Sequence, residues 1–310
     1  MVRGLRTMNA PECTMDARER TVNESERTMD GSARTVNESE RTMDGPERTM
    51  DAPERTVDES ERTIDGGVMR TVGIDLAAAP TKTAIATIEW APGAARVVDV
   101  TMPADDTAIA RAVEGADRVG IDAPFGWPEH FADFLAAHRA GRLPASAGLG
   151  DIDNRRRLAY RRTDLRLMEI GAGRPLSVSA DQIAHVAFRC AGLIADLGLV
   201  DRVDGFAVEA YPAAALRRWG LRSRGYKRVA NVALLTALVD DLERVAPWLQ
   251  LGEYREVVSA VDDAFDAVVT ALIARAVALG LTTPPNADDH AIAMREGWIH
   301  VPEGTLADLV

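Results

Sequence analysis

Hydrophobic patterning in this chain predicts an α/β fold: a mixed sheet, made of a three-strand antiparallel meander plus parallel strands, flanked by helices and carrying a helical insertion. Three features lead there. Val-Gly-Ile-Asp occurs twice, at 72–75 and 119–122, each time closing a strand-like run and opening into a small-residue turn with proline. Between the two copies lie two further strand-like runs and one stretch at helical spacing. Beyond residue 200 the alternation of strand and helix resumes.

Taken in order, residues 71–77 read as the first strand, 82–90 as the second across a short turn at Pro80, and 95–102 as the third. The next stretch has apolar residues at 108, 109, 112 and 113 and a glycine stop at 115, which is a helix. The fourth strand, Arg-Val-Gly-Ile-Asp, follows at once, and a crossover of that kind lays it parallel beside the first. Residues from about 129 to 200 are mostly helical, in three segments, and form the insertion. Residues 204–212 read as a fifth strand ending in Glu209. An amphipathic helix then carries Val232, Leu235, Leu238, Val239 and Leu242 on one face. The last strong helix starts near Ser259, whose Ser-Ala-Val-Asp resembles a capping box, and stops at Gly280.

Residues 1–67 stand outside this plan. Positions 6–67 repeat every seven residues in the form Glu-Arg-Thr-Met-Asp-Gly-Pro. A coiled coil needs two apolar positions per heptad; each unit here has one, and Gly31, Gly45, Pro46 and Pro53 would break a helix. The expectation is a disordered tail, dispensable to the folded part, with Met69 as an alternative start. The tail carries ten Arg and sixteen Asp or Glu, half of the chain's formal charge of -12, so residues 68–310, read as one domain, are only mildly acidic.

That total argues against a general nucleic-acid coat protein while leaving room for local basic patches. Cys13 and Cys190 are the only cysteines and lie far apart, which fits a reducing cytoplasm and supports neither a disulfide framework nor a thiolate zinc site. No apolar run reaches the roughly 18 to 20 residues of a membrane span, and the start lacks a secretion signal's apolar core. The chain is expected to be cytoplasmic. Five histidines are scattered without metal-ligand spacing.

The chemistry lies in the acids. Ligands of open α/β sheets bind at the carboxyl ends of the strands, and Asp75, Asp122 and Glu209 are each the acid at such an end. Asp75 and Asp122 on neighbouring strands would repel one another unless a cation sat between them. Carboxylate oxygens without His or Cys partners suit Mg²⁺ or Mn²⁺. On the last helix Asp262 and Asp266 share a face, with Asp263 also within reach of Asp266. Asp75, Asp122, Asp263 and Asp266 are therefore the metal candidates. Such a set can hold two ions roughly 3.5 to 4 Å apart, the arrangement that hydrolyses phosphodiesters. For Glu209 a salt bridge to arginine stays open beside ligation.

Several motifs in order, "GIDLAAAPTKTA", "GIDAPFGWP", "RRTD", "VEAYPAAALR", "DDAFDAVVTALIARA" and "EGWIHVP", resemble domain of unknown function 429, from about residue 70 to the end. Its members are described as predicted RNase H-like nucleases, and the element order is similar to the RNase H-like fold of ribonuclease H, Holliday-junction resolvases and transposases. The resemblance implies catalytic acids at Asp75, Asp122, Glu209 and Asp266.

Residues 155–166 hold six arginines and one acid. At helical spacing Arg155, Arg162 and Arg166 would share one face, with Tyr160 nearby, and could grip a phosphate backbone; a solvated helix face is the plainer reading. Lys227, one of two lysines in the chain, is a further substrate-binding candidate. The expected function is metal-dependent hydrolysis of nucleic acid. Two readings stand beside it: an actin-like sugar kinase or ATPase, weakened by the lack of a second glycine-rich phosphate loop, and a catalytically silent binding module.

Overall fold

The computed structural model describes residues 68–144, 147–179 and 181–310, so the heptapeptide tail and Cys13 lie outside the described residues. The strands are β1 (Met69–Asp75), β2 (Ala84–Ala91), β3 (Ala94–Thr101), β4 (Arg118–Asp122), β5 (Ala207–Glu209) and β6 (Leu249–Gln250). They form one six-stranded mixed sheet in the order β5-β4-β1-β2-β3-β6. β1, β2 and β3 are the antiparallel meander, and β4 lies parallel to β1 and β5 parallel to β4, an arrangement consistent with an RNase H-like fold. Among the described residues no helix is long and apolar enough to cross a membrane.

The repeated Val-Gly-Ile-Asp is explained by register. Val72 faces Val119, Gly73 faces Gly120, Ile74 faces Ile121 and Asp75 faces Asp122. Alternation then sends the two kinds of residue to opposite faces. Val72, Ile74, Val119 and Ile121 are fully buried in a cluster completed by Ile109 of α1 (Asp106–Val113) and by Cys190, Leu193 and Ile194 of α5 (Asp181–Asp196). The glycines face α9 (Asp262–Ala278). A β-carbon on Gly73 would stand 2.1 Å from the Ala267 carbonyl oxygen and 2.2 Å from the Ala271 nitrogen, and one on Gly120 would stand 2.6 Å from the Thr270 carbonyl oxygen. The contacts are to backbone, which cannot step aside. Glycine at both positions lets the helix lie directly on the sheet.

The spacing of the acids on the last helix does not reveal how deeply Asp266 lies. α9 is buried almost all round, with the sheet beneath it and α6 (Pro212–Arg218) and α8 (Arg255–Ala260) against it. Asp266 is fully buried. The helix also begins later than the capping-box reading places it: Ser259 belongs to α8, extended Val261 breaks the chain, and Asp262 opens α9.

The insertion contains α2 (Glu129–Arg139), α3 (Ile152–Ala159), α4 (Arg162–Glu169) and α5. The arginine-rich stretch is two helices rather than one, because Tyr160 and Arg161 are extended. Arg155 therefore does not share a helix face with Arg162 and Arg166. α6, α7 (Val232–Val245), β6 and α10 (Ala287–Glu296) complete the fold. Of these, α6 and α10 carry legible signals that the sequence reading passed over. α6 has proline in its first turn, and α10 has an Asn286 cap, acids in its first turn and Gly297 at its end.

Candidate metal centre

β1 and β4 end together, so Asp75 and Asp122 project side by side toward the N-terminal part of α9, where Asp266 descends to meet them. One oxygen from each of these three carboxylates lies within 4.8 Å of the others, and the group contains no His or Cys. Three hard oxygen donors with no nitrogen or sulfur partner fit a Mg²⁺-like or Mn²⁺-like ion. Such an ion would supply concentrated positive charge and make a bound water a better nucleophile at neutral pH.

Two neighbours tie Asp266 down. The Tyr226 hydroxyl donates to its Oδ1 at 2.7 Å, and the Lys227 ammonium lies 2.5 Å from its Oδ2. Burial and the adjacent Asp266 raise the Tyr226 hydroxyl far above its ordinary range, so it stays a donor. Burial works to lower Lys227, but the charges of Asp266, Asp122 and Asp75 outweigh it and hold the side chain as an ammonium. Tyr226 is a site residue that the sequence reading missed, although it adjoins the lysine singled out there.

All three acids are pushed upward. Burial is the main cause for Asp75, followed by the charges of Asp266 and Asp122. Burial likewise raises Asp266, against the pull of Lys227 and Tyr226. For Asp122, burial leads and Asp266 and Glu209 add to it, while Lys227 and a hydrogen bond with Asp75 oppose, carrying it from 3.8 to about 7. A carboxyl whose value rises on folding holds its proton more tightly in the folded chain. Its contribution to stability is whole below 3.8 and is lost as pH climbs through about 7. In metal-free buffer the thermal midpoint is therefore expected to fall between about pH 4 and about pH 7. Asp122→Asn should flatten that fall and raise the midpoint at the alkaline end. A variant that melts lower than wild type throughout would instead make Asp122 a charged structural partner.

The other candidate acids stand apart from this group. Glu209 is buried and gripped by Arg161, whose Nη1 and Nη2 donate to Oε2 and Oε1 at 2.8 and 2.7 Å; the Phe125 amide adds a third bond to Oε2 at 3.0 Å. Arg161 also serves Asp164 and the Glu296 carbonyl, and the Glu296 carboxylate accepts from the amides of Glu129 and Arg162. The salt-bridge alternative is thus what Glu209 adopts, and its acid ties the insertion to the sheet. Asp263 is 3.8 Å from Lys82, and burial raises its carboxyl. Asp262 accepts from the Arg228 amide.

The arginine strip is dispersed. Arg155 donates to the carbonyls of Leu149 and Gly150, Arg162 pairs with Asp289 and Glu169, and Arg166 lies 3.6 Å from Glu169. Positive charge beside the acids comes from another place. A cavity of about 390 Å³ is lined by Ser223, Arg224, Gly225, Tyr226, Lys227, Arg228 and Asn231, three cations and no anion, and it shares Tyr226 and Lys227 with the acidic group.

The model of one family, described as "Protein of unknown function (DUF429)", matches residues 73–290 of this chain. No curated protein and no solved structure gives a match.

Proposed function

The chain belongs to the DUF429 family, and from that membership and the geometry of its own acids we propose that it hydrolyses phosphodiester bonds of nucleic acid with the help of Mg²⁺ or Mn²⁺. The observation that carries this reading is the convergence of Asp75 and Asp122, paired in register, with Asp266 from α9. Asp75, Asp122 and Asp266 would hold the ion. Tyr226 keeps the Asp266 carboxylate oriented by its hydrogen bond to Oδ1.

Two features favour a nucleic-acid substrate. The cavity bearing Arg224, Lys227 and Arg228 offers concentrated positive charge to a phosphate next to the acids. Trp127, on the loop that follows β4, stacks on Phe188 of α5 with ring centroids 5.6 Å apart, and Phe188 is 60% exposed. Its neighbour Arg189 donates to the Ala77 carbonyl on the loop after β1. That pair can receive an unstacked base. A cytoplasmic setting, with its reduced cysteines and ready Mg²⁺, completes the reading.

The test is to incubate the full chain with single-stranded DNA, duplex DNA and RNA in the presence of each ion. Cleavage is expected with Mg²⁺ or Mn²⁺ and not with Ca²⁺, whose looser and larger coordination shell positions water and leaving group poorly. Failure of the wild-type chain to bind any divalent ion in calorimetry, or phosphoryl transfer from ATP in place of cleavage, would overturn the proposal.

A further inference from the structure

The 36 Lys and Arg residues of this chain include only two lysines, and both lie against acids of α9. Lys82 is 3.8 Å from Asp263, and Lys227 is 2.5 Å from Asp266. An arginine fork would fill its surroundings with a planar, fixed set of donors. An ammonium is a compact point charge that can share a small polar space with a metal ion and a phosphate.

Counting charge and donors then limits how many metal ions fit. Asp75, Asp122 and Asp266 carry three negative charges when ionised. Before a substrate binds, one divalent ion together with the Lys227 ammonium balances them, whereas a second divalent ion would leave an excess of two positive charges. Two ions about 4 Å apart also need carboxylates free to reach both. Asp266 accepts from Tyr226 at Oδ1 and has the Lys227 ammonium 2.5 Å from Oδ2, Glu209 has both oxygens committed to Arg161, and Asp263 stands outside the group.

We infer that the centre takes a single divalent ion, and that Lys227 supplies the second positive charge to the reacting phosphate. The inference rests on the phosphodiesterase reading and assigns Lys227 as a catalytic residue within it. The lysine is placed for this role because it belongs at once to the acidic group and to the cation-lined cavity, with a side chain 54% exposed and its ammonium turned inward onto Asp266. In the hydrolysis the water oxygen bonds to phosphorus and the bond from phosphorus to the ester oxygen breaks. The departing oxygen gains a proton from solvent, matching the one that the attacking water releases. Lys227 balances the charge that accumulates on the departing oxygen before that proton arrives.

The test counts ions and measures turnover separately. Calorimetric titration of the full chain with Mn²⁺, together with Mn²⁺ electron paramagnetic resonance, is expected to give one ion per chain and no spin coupling between neighbouring ions. Lys227→Met should still bind one Mn²⁺, at least as tightly as wild type, yet hydrolyse bis(4-nitrophenyl) phosphate and nucleic acid with kcat lowered about a hundredfold. Two coupled Mn²⁺ ions per wild-type chain, or a Lys227→Met variant that turns over at the wild-type rate, would overturn the assignment while leaving the phosphodiesterase reading intact. A wild-type chain that binds no Mn²⁺ would remove both.

Discussion

Asp75→Asn is expected to abolish measurable Mn²⁺ binding in calorimetry and to lower cleavage roughly a thousandfold, the largest effect on chemistry that a single substitution in this chain should produce. Asp75 stands at the meeting point of the group: it faces Asp122 across β1 and β4 and lies within ligand distance of Asp266. The amide keeps the shape and one oxygen but removes the charge that attracts the ion. Burial and two neighbouring acids already raise the Asp75 carboxyl, so the metal-free variant should be no less stable than wild type in urea. Unchanged Mn²⁺ affinity, or a variant that fails to fold, would show that Asp75 serves the fold rather than a cation.

Arg161→Met is expected to have the largest effect on stability. Its side chain is 2% exposed and neutralises two carboxylates, Glu209 and Asp164, each of which is almost wholly removed from water. Taking away one partner of a buried ion pair costs about 3 to 5 kcal/mol, because the charges left behind have no compensation. Urea unfolding should register that loss, and the thermal midpoint should fall by roughly 10 °C for a domain of this size. Arg161→Lys should recover only part of it, since an ammonium cannot reproduce the fork that reaches both acids. A loss below about 1 kcal/mol would mean that the cluster admits water and that Glu209 is free to take another role.

These two residues mark the boundary of what the sequence could tell. Asp75 and Asp122 were legible because each ends a strand-like run and because the repeated motif implied neighbouring strands; periodicity and the chirality of crossovers are local rules. Asp266 was legible as a partner by its spacing from Asp262, but its burial was not. Periodicity compares residues on one helix and carries no information about which elements will cover a helix from the far side. The partner of Glu209 lies 48 positions away in the chain, inside a stretch whose spacing looks like one continuous helix. At the break the extended Arg161 turns inward into tertiary charge pairs with Asp164 and Glu209. In the same way the basic strip dissolved: its members are spent on Asp289, Glu169 and backbone carbonyls that only the folded chain brings near. Lys227 was legible as a cation after the fifth strand, and its distance from Asp266 was not.

The seating of α9 on two glycines also orders events in time. About 190 residues separate Asp75 from Asp266, so the meander and β4 leave the ribosome long before the helix that must cover them. Closing so long a loop is entropically slow, and until it closes one face of the central strands stays wet. During that interval Asp75 and Asp122 have neither the third acid nor the lysine beside them. A growing chain thus lacks the complete acidic group through most of its synthesis, and the docking of one helix covers the sheet and assembles that group in one step.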